Sequence, residues 1–224
     1  TFDGVAYDYM AAGEYTLVRE LTGPLEIQAR QEPVDRSNSV TINTALATTV
    51  DGESVVIDVT DSTPVQINST PTEISDGEAL AVGNGTIKRT GNSYAIVYPG
   101  DDDEPDPTDE RVIVDGFGNR IDIEVRLDAD RGAPVEGILG NIDDNSSNDI
   151  ALANGTVVSS PSNSNELYGP FRDDWRVTEN TTLFDYEGDN GPETYYNPAI
   201  PSGSFTVNDI DPDTRAEGEQ LATE

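Results

Sequence analysis

The chain contains no cysteine and no histidine. Without cysteine, no disulfide can staple it and no thiolate can act as nucleophile or metal ligand. Without histidine, the Ser-His-Asp triad, the Cys-His pair and every His-ligated zinc or iron site are excluded. Basic residues are also scarce: 12 Lys and Arg stand against 44 Asp and Glu, for a formal net charge of −32. Lys88 is the only lysine. A surface of that sign repels phosphate backbones and anionic lipid, which argues against nucleic-acid and membrane-surface binding, and it attracts divalent cations. No apolar run approaches the roughly 20 residues that a membrane-spanning helix needs. One tryptophan, Trp175, is present; a core anchor is the simpler reading for it, with a sugar-stacking platform as the alternative. The same two readings apply to Tyr7, Tyr9, Tyr15, Tyr195 and Tyr196.

What is present points to β structure. The 224 residues suffice for a single sandwich-sized domain with its own core. Glycine-containing turn dipeptides punctuate the chain at Asp51-Gly52, Asp76-Gly77, Asn84-Gly85, Gly91-Asn92, Asp115-Gly116 and Asn154-Gly155. Between them apolar residues alternate with polar ones. Such runs include Leu25, Ile27 and Ala29; Val40, Ile42 and Leu46; Val55, Ile57 and Val59; Tyr94, Ile96 and Tyr98; Val112 and Val114; and Ile121, Ile123, Val125 and Leu127. A period of two buries one face of a strand. The expected class is all-β, an antiparallel two-sheet β-sandwich with short helical turns at the C-terminal end. Residues 112–127 read as its clearest hairpin. One domain is expected over 1–206, with 207–224 as its extension or a linker; Asp213 or Thr214 is the candidate N-cap of a short helix there. Asp101 to Glu110 reads as a solvated acidic loop, or as a second, weaker cation site. The chain opens at Thr1-Phe2-Asp3-Gly4 with no signal-peptide pattern, so it is expected to be a mature or excised piece of a longer protein. Acidic, lysine-poor composition resembles that of proteins from extreme halophiles, where strong brine screens charge to about 3 Å. The alternative is an acidic secreted protein of seawater or a calcium-rich matrix.

One segment concentrates oxygen donors. Asn141, Asp143, Asp144, Asn145, Asn148 and Asp149 follow a Gly-Ile-Leu-Gly step at 137–140. Hard Ca²⁺ takes six to eight oxygens from carboxylates, amides and backbone carbonyls. No glutamate closes the loop at the twelfth position and no helical pattern flanks it, so it is not an EF-hand. On spacing alone, an Asx-rich turn without metal fits equally well.

This segment resembles the Gly-Leu-x-Gly-Asn-x-Asp-x-x-x-x-Asn-Asp signature of von Willebrand factor type D domains. The opening Thr1-Phe2-Asp3-Gly4, with Tyr7-Asp8-Tyr9 and Gly13-Glu14-Tyr15-Thr16-Leu17, is similar to that family's start. Trp175-Arg176-Val177 and Leu183-Phe184-Asp185-Tyr186 resemble a late pair of motifs in its bacterial and archaeal members. The matches fall in the family's order and span nearly the whole chain. The resemblance implies a calcium-bearing β-sandwich, with Asp3, Asn141, Asp143, Asn148 and Asp149 as side-chain ligands and Asn145 contributing its backbone carbonyl. It implies no enzyme, but an extracellular or cell-surface structural or adhesive module within a larger surface, matrix or filament protein. Its partners would be other extracellular proteins or copies of itself, with glycans as a further class. A carbohydrate-binding module is the alternative function. A carboxylate-based glycosidase is a third, though among so many acidic residues some pair always fits. Animal members carry cysteines where Gly13 and Leu139 stand, so disulfide-linked multimers are closed to this chain and assembly must be non-covalent. Five Asn-x-Ser/Thr sequons, at Asn68, Asn84, Asn145, Asn154 and Asn180, are candidate glycan acceptors; a glycan on Asn145 would conflict with an ion in the loop.

Overall fold

A computed structural model describes residues 1–35, 37–100, 109–129 and 131–202. The expected helix start at Asp213 or Thr214, the 207–224 extension and residues 101–108 of the acidic loop lie outside the described residues.

The alternating runs form antiparallel strands, as the period of two requires. They are β1 (Gly13–Glu20), β2 (Glu26–Pro33), β3 (Thr41–Val50), β4 (Glu53–Asp58), β5 (Val65–Ile67) and β6 (Thr70–Pro71). A second set follows: β7 (Ala79–Val82), β8 (Gly85–Thr90), β9 (Ser93–Val97), β10 (Arg111–Phe117), β11 (Arg120–Arg126) and β12 (Val135–Glu136). Successive strands pair as two meanders, β1 to β6 and β7 to β11, and β12 returns to lie against β1. Among the described residues, hydrogen bonding runs through one 12-stranded sheet and not through two separate sheets. The meanders are joined at β3, where Asn43 bridges Ile121 of β11 while the rest of that edge of β3 pairs with β4. The sheet thus branches and curls, and its two limbs share one core. Ile27, Leu46 and Ile57 of the first limb and Ile87, Ile96 and Ile121 of the second are all 0–1% exposed in that core.

The expected hairpin forms, with a shifted turn. Asp115 and Gly116 continue β10, and Gly118, at φ +66°, makes the turn with Asn119. Gly116 N–H donates to Asn92 O at 2.9 Å, so the strand gains a bond by running through the Asp-Gly pair. Asp51-Gly52 turns as expected, with φ of +50° and +83°.

Beyond β12 the described residues form helical turns and isolated bridges: α1 (Ser164–Glu166), a five-residue π turn Leu167–Phe171 broken at Gly169, α2 (Arg172–Trp175) and α3 (Pro192–Tyr195). Leu167, Phe171 and Trp175 of this segment join the main core, and the part from Val177 to Tyr195 lies across the outer face of β1, β2 and β3. Val177 N–H donates to Glu14 O (2.9 Å), and Gln28 clamps the strip by donating to Thr181 O (2.7 Å) and accepting from Leu183 N–H (2.9 Å). A second apolar cluster of Ala45, Ala47, Val56 and Phe184 fills the space beneath it. Central strand β3 is therefore buried on both faces. Trp175 is a core residue, 2% exposed, and its Nε1 donates to Ala151 O at 2.9 Å.

Candidate metal centre

The oxygen-rich loop follows directly on β12. Ile138 and Leu139 N–H donate to Thr16 and Leu17 O (3.2 and 2.9 Å), which extends the edge of β1. Gly137 fits there because it lacks a side chain: at φ +148°, a Cβ would lie 2.3 Å from Leu17 O. The opening segment is tied to the same place. Phe2 N–H donates to Leu139 O (3.0 Å), and the Tyr7 hydroxyl donates to Ile138 O. The first residues and the loop, some 140 positions apart, thereby meet.

Asp3 caps the loop. Its Oδ2 accepts from the N–H groups of Asp143 (3.2 Å) and Asn145 (3.1 Å). Asp143 accepts from Asn145 N–H (3.0 Å) and from Asn148 Nδ2 (2.8 Å). The Asn148 bond, seconded by the loop N–H of Asn145, holds the Asp143 carboxyl below its ordinary range. Asp149 is buried, 2% exposed, and its Oδ2 accepts from the Thr1 hydroxyl. In the sequence Thr1 belongs to the opening motif but is not among the candidate ligands, since nothing in local spacing links it to a residue 148 positions away. Gly140, at φ +84°, packs against Asp149, and a Cβ there would sit 3.0 Å from Oδ1.

Three atoms are left over. Asn141 Oδ1, Asn148 Oδ1 and Asp149 Oδ1 are buried with no hydrogen-bond partner. A buried acceptor without a partner costs about 1–3 kcal/mol, more when charged. All three residues, with Asp143, line one cavity of about 350 Å³. Asp3 and Asn145 do not line it. Asp3 acts on the loop through backbone N–H groups. The Asn145 side chain turns away and accepts from Ser147 N–H (3.3 Å) and Oγ (2.6 Å), while its backbone carbonyl accepts from Asn148 N–H (3.2 Å). That carbonyl retains a second lone pair. Among the described residues, no three carboxylates stand close enough to hold a metal by themselves. The donor set is mixed carboxylate and amide, all oxygen, which is the chemistry of a hard divalent cation and not of zinc or a soft metal. The five sequon asparagines are exposed.

Fold and loop together define a class: an antiparallel β module whose first residues are pinned to a distant Asx-rich loop. The family model for the von Willebrand factor type D domain matches residues 1–156. The chain belongs to that family, whose members are extracellular adhesive or structural modules, typically without catalytic activity. The matched span contains the opening, the Asx-rich loop and every strand; the Trp175 and Phe184 motifs lie past it. No curated protein matches the chain. No helix among the described residues is long and apolar enough to cross a membrane.

Proposed function

We propose that this domain is a non-enzymatic extracellular module, part of a larger surface, matrix or filament protein, that is stabilised by Ca²⁺ held in the 141–149 loop. The observation that carries the reading is the set of three buried, unpartnered oxygens on Asn141, Asn148 and Asp149, which share a cavity with Asp143. Those four side chains are the direct ligands. Asp3 orients the loop from outside the cavity or completes the shell, and the Asn145 carbonyl serves through its free lone pair. Bound Ca²⁺ supplies positive charge that neutralises Asp143 and Asp149 and satisfies the amide oxygens. Because the ligands belong to a loop pinned to the first residues, the ion stabilises the contact between chain start and β12. At 100 times its dissociation constant it adds about 2.7 kcal/mol if it ignores the unfolded chain. With no cysteine, assembly with copies or with other extracellular proteins is non-covalent. The net charge of −32 supports work in strong brine, where self-repulsion is screened.

The test is thermal unfolding in Ca²⁺ and in chelator, at constant high salt, for wild type and Asp143→Ala. The midpoint should rise by several degrees with Ca²⁺ in wild type and not in the variant. Equal midpoints in all four conditions would reduce the loop to an Asx-rich turn.

A further inference from the structure

A second cavity lies where the two limbs of the sheet diverge, on the other side of the segment that anchors the Asx-rich loop. A bulge in β3, with Thr44 as the extra residue between the pairs Arg30–Ala45 and Gln31–Asn43, brings Gln31 of β2 opposite Asn43. Cross-strand neighbours share a face, with Cβ atoms about 4.5–5.5 Å apart. Asn43 is also the residue that bridges to β11, so it stands at the branch of the sheet. The space beside the pair is about 330 Å³, with Leu17, Ile123 and Ile138 as apolar wall and the opening segment as its rim.

The polar atoms here are unspent. Gln31 Oε1, Asn43 Oδ1 and the Tyr9 hydroxyl are buried without a hydrogen-bond partner. Gln31 and Tyr9 are each 9% exposed. The Gln31 amide is oriented by its Nε2, which donates to Tyr9 O at 3.5 Å and leaves the oxygen for the cavity. The neighbouring Tyr15 hydroxyl donates its proton to Ala12 O (3.1 Å) and lies beside the Tyr9 hydroxyl.

The lining selects a chemical class. No carboxylate lines the cavity, so a cation would lose its hydration to neutral oxygens alone. An anion would meet acceptors within a chain of charge −32. A purely apolar molecule would leave each acceptor unpaired. A neutral molecule with hydroxyl groups and an apolar face meets every requirement. A hydroxyl donates and accepts, so it satisfies Asn43 whichever end of that amide faces it, and it satisfies the Tyr9 phenol as well. The volume is at the lower end of the range for small-ligand sites, which suits one sugar ring. We propose that this cavity binds a small neutral polyol, a single sugar ring or a molecule of like size, through Gln31, Asn43 and Tyr9. The site shares Thr1, Tyr7, Ile138 and Leu139 with the anchor of the Asx-rich loop but none of the ligands proposed there.

Saturation-transfer NMR on the intact chain tests this with glucose, galactose and mannose, and with their methyl glycosides, in millimolar excess. Saturation transfer to at least one sugar is expected. Transfer to both the free sugar and its methyl glycoside identifies the end of a glycan as the source; transfer to the free form alone identifies a free sugar. Ala6 lines this cavity and is exposed. Ala6→Trp would fill the mouth without touching the core and should abolish the transfer. Gln31→Leu removes one acceptor and should weaken binding about tenfold, with its fold checked by circular dichroism. Absence of transfer for every sugar in folded wild type would mean that water alone satisfies these atoms, and would overturn the proposal. Transfer that survives Ala6→Trp would place the sugar elsewhere and overturn it equally.

Discussion

Gly137 shows how one residue controls the Asx-rich loop. A methyl group at this position would sit 2.3 Å from Leu17 O and 2.8 Å from Val18 Cα, both backbone atoms that cannot turn aside. Its φ of +148° is also strained for any other residue. Gly137→Ala should therefore cost at least ~1–3 kcal/mol and loosen the loop from β1. Gly132→Ala, with nothing within 4 Å of its Cβ, is the control. Urea unfolding of both checks the contrast, and equal midpoints would show that the β1 edge yields to the methyl. At this scale the sequence was only partly legible. Asn141, Asp143, Asn148 and Asp149 could be singled out because oxygen donors crowd there, yet spacing alone did not separate a ligand set from a turn. What the structure adds is burial: Asn148 Oδ1 is buried without a partner, whereas Asn145, by composition as good a donor, spends its side chain on Ser147.

The strands β1, β2 and β4 meet at Arg30, which lies inside the fold. Its guanidinium pairs with Glu14 (2.8 Å) and Asp58 (2.6 Å), and it lies 3.8 Å from the Tyr195 ring centre and 4.8 Å from that of Phe184. Glu14 also accepts from the Tyr186 hydroxyl. Alternation at Leu25, Ile27 and Ala29 identifies the inward face of β2, and period-two reasoning assigns Arg30 to solvent. The structure buries it because the 175–196 strip, which has no periodicity to betray it, lies across that face. Arg30→Met leaves Glu14 buried and uncompensated, and removing one partner of such a pair costs about 3–5 kcal/mol. Arg30→Met with Glu14→Gln should recover part of the loss. Burial already raises the Glu14 pKa above its ordinary value, against the pull of Tyr186 and Arg30. A carboxyl raised on folding contributes stability that is present below its unfolded pKa and lost as pH rises through the folded one. Losing Arg30 raises it further, so the deficit of Arg30→Met should be largest near neutrality and shrink as pH falls toward about 4. Urea unfolding of wild type and variant across that range measures it; a deficit independent of pH would mean that lost ring packing, not the charge, accounts for the cost.

For the whole molecule, the antiparallel class was legible because turns and alternation recur along the chain. The branched hydrogen bonding was not, since it hangs on the one bridge between Asn43 and Ile121. The curled sheet also encloses phenols, and that sets an upper pH limit on the fold. Tyr9, Tyr15 and Tyr98 are 9%, 0% and 6% exposed. Burial raises the pKa of all three above the ordinary tyrosine value, because a phenolate in the core would lose its hydration. An acid whose pKa is raised on folding contributes stability fully present below its unfolded pKa, here about 10, and lost as pH rises beyond it. Above that pH the unfolded chain releases protons that the folded chain retains. Stability then falls by about 1.4 kcal/mol per pH unit for each such tyrosine. Three together make about 4 kcal/mol per unit, enough to consume an ordinary domain's stability within two or three units. At constant high salt, tyrosinate absorbance should therefore rise in two stages: a gradual one from exposed rings, and a steep one that coincides with loss of the β signal in circular dichroism. If all the tyrosinate absorbance appeared gradually with the β signal intact, these phenols would be ionising inside the folded state, and the core would have to be far wetter than a close-packed sheet allows.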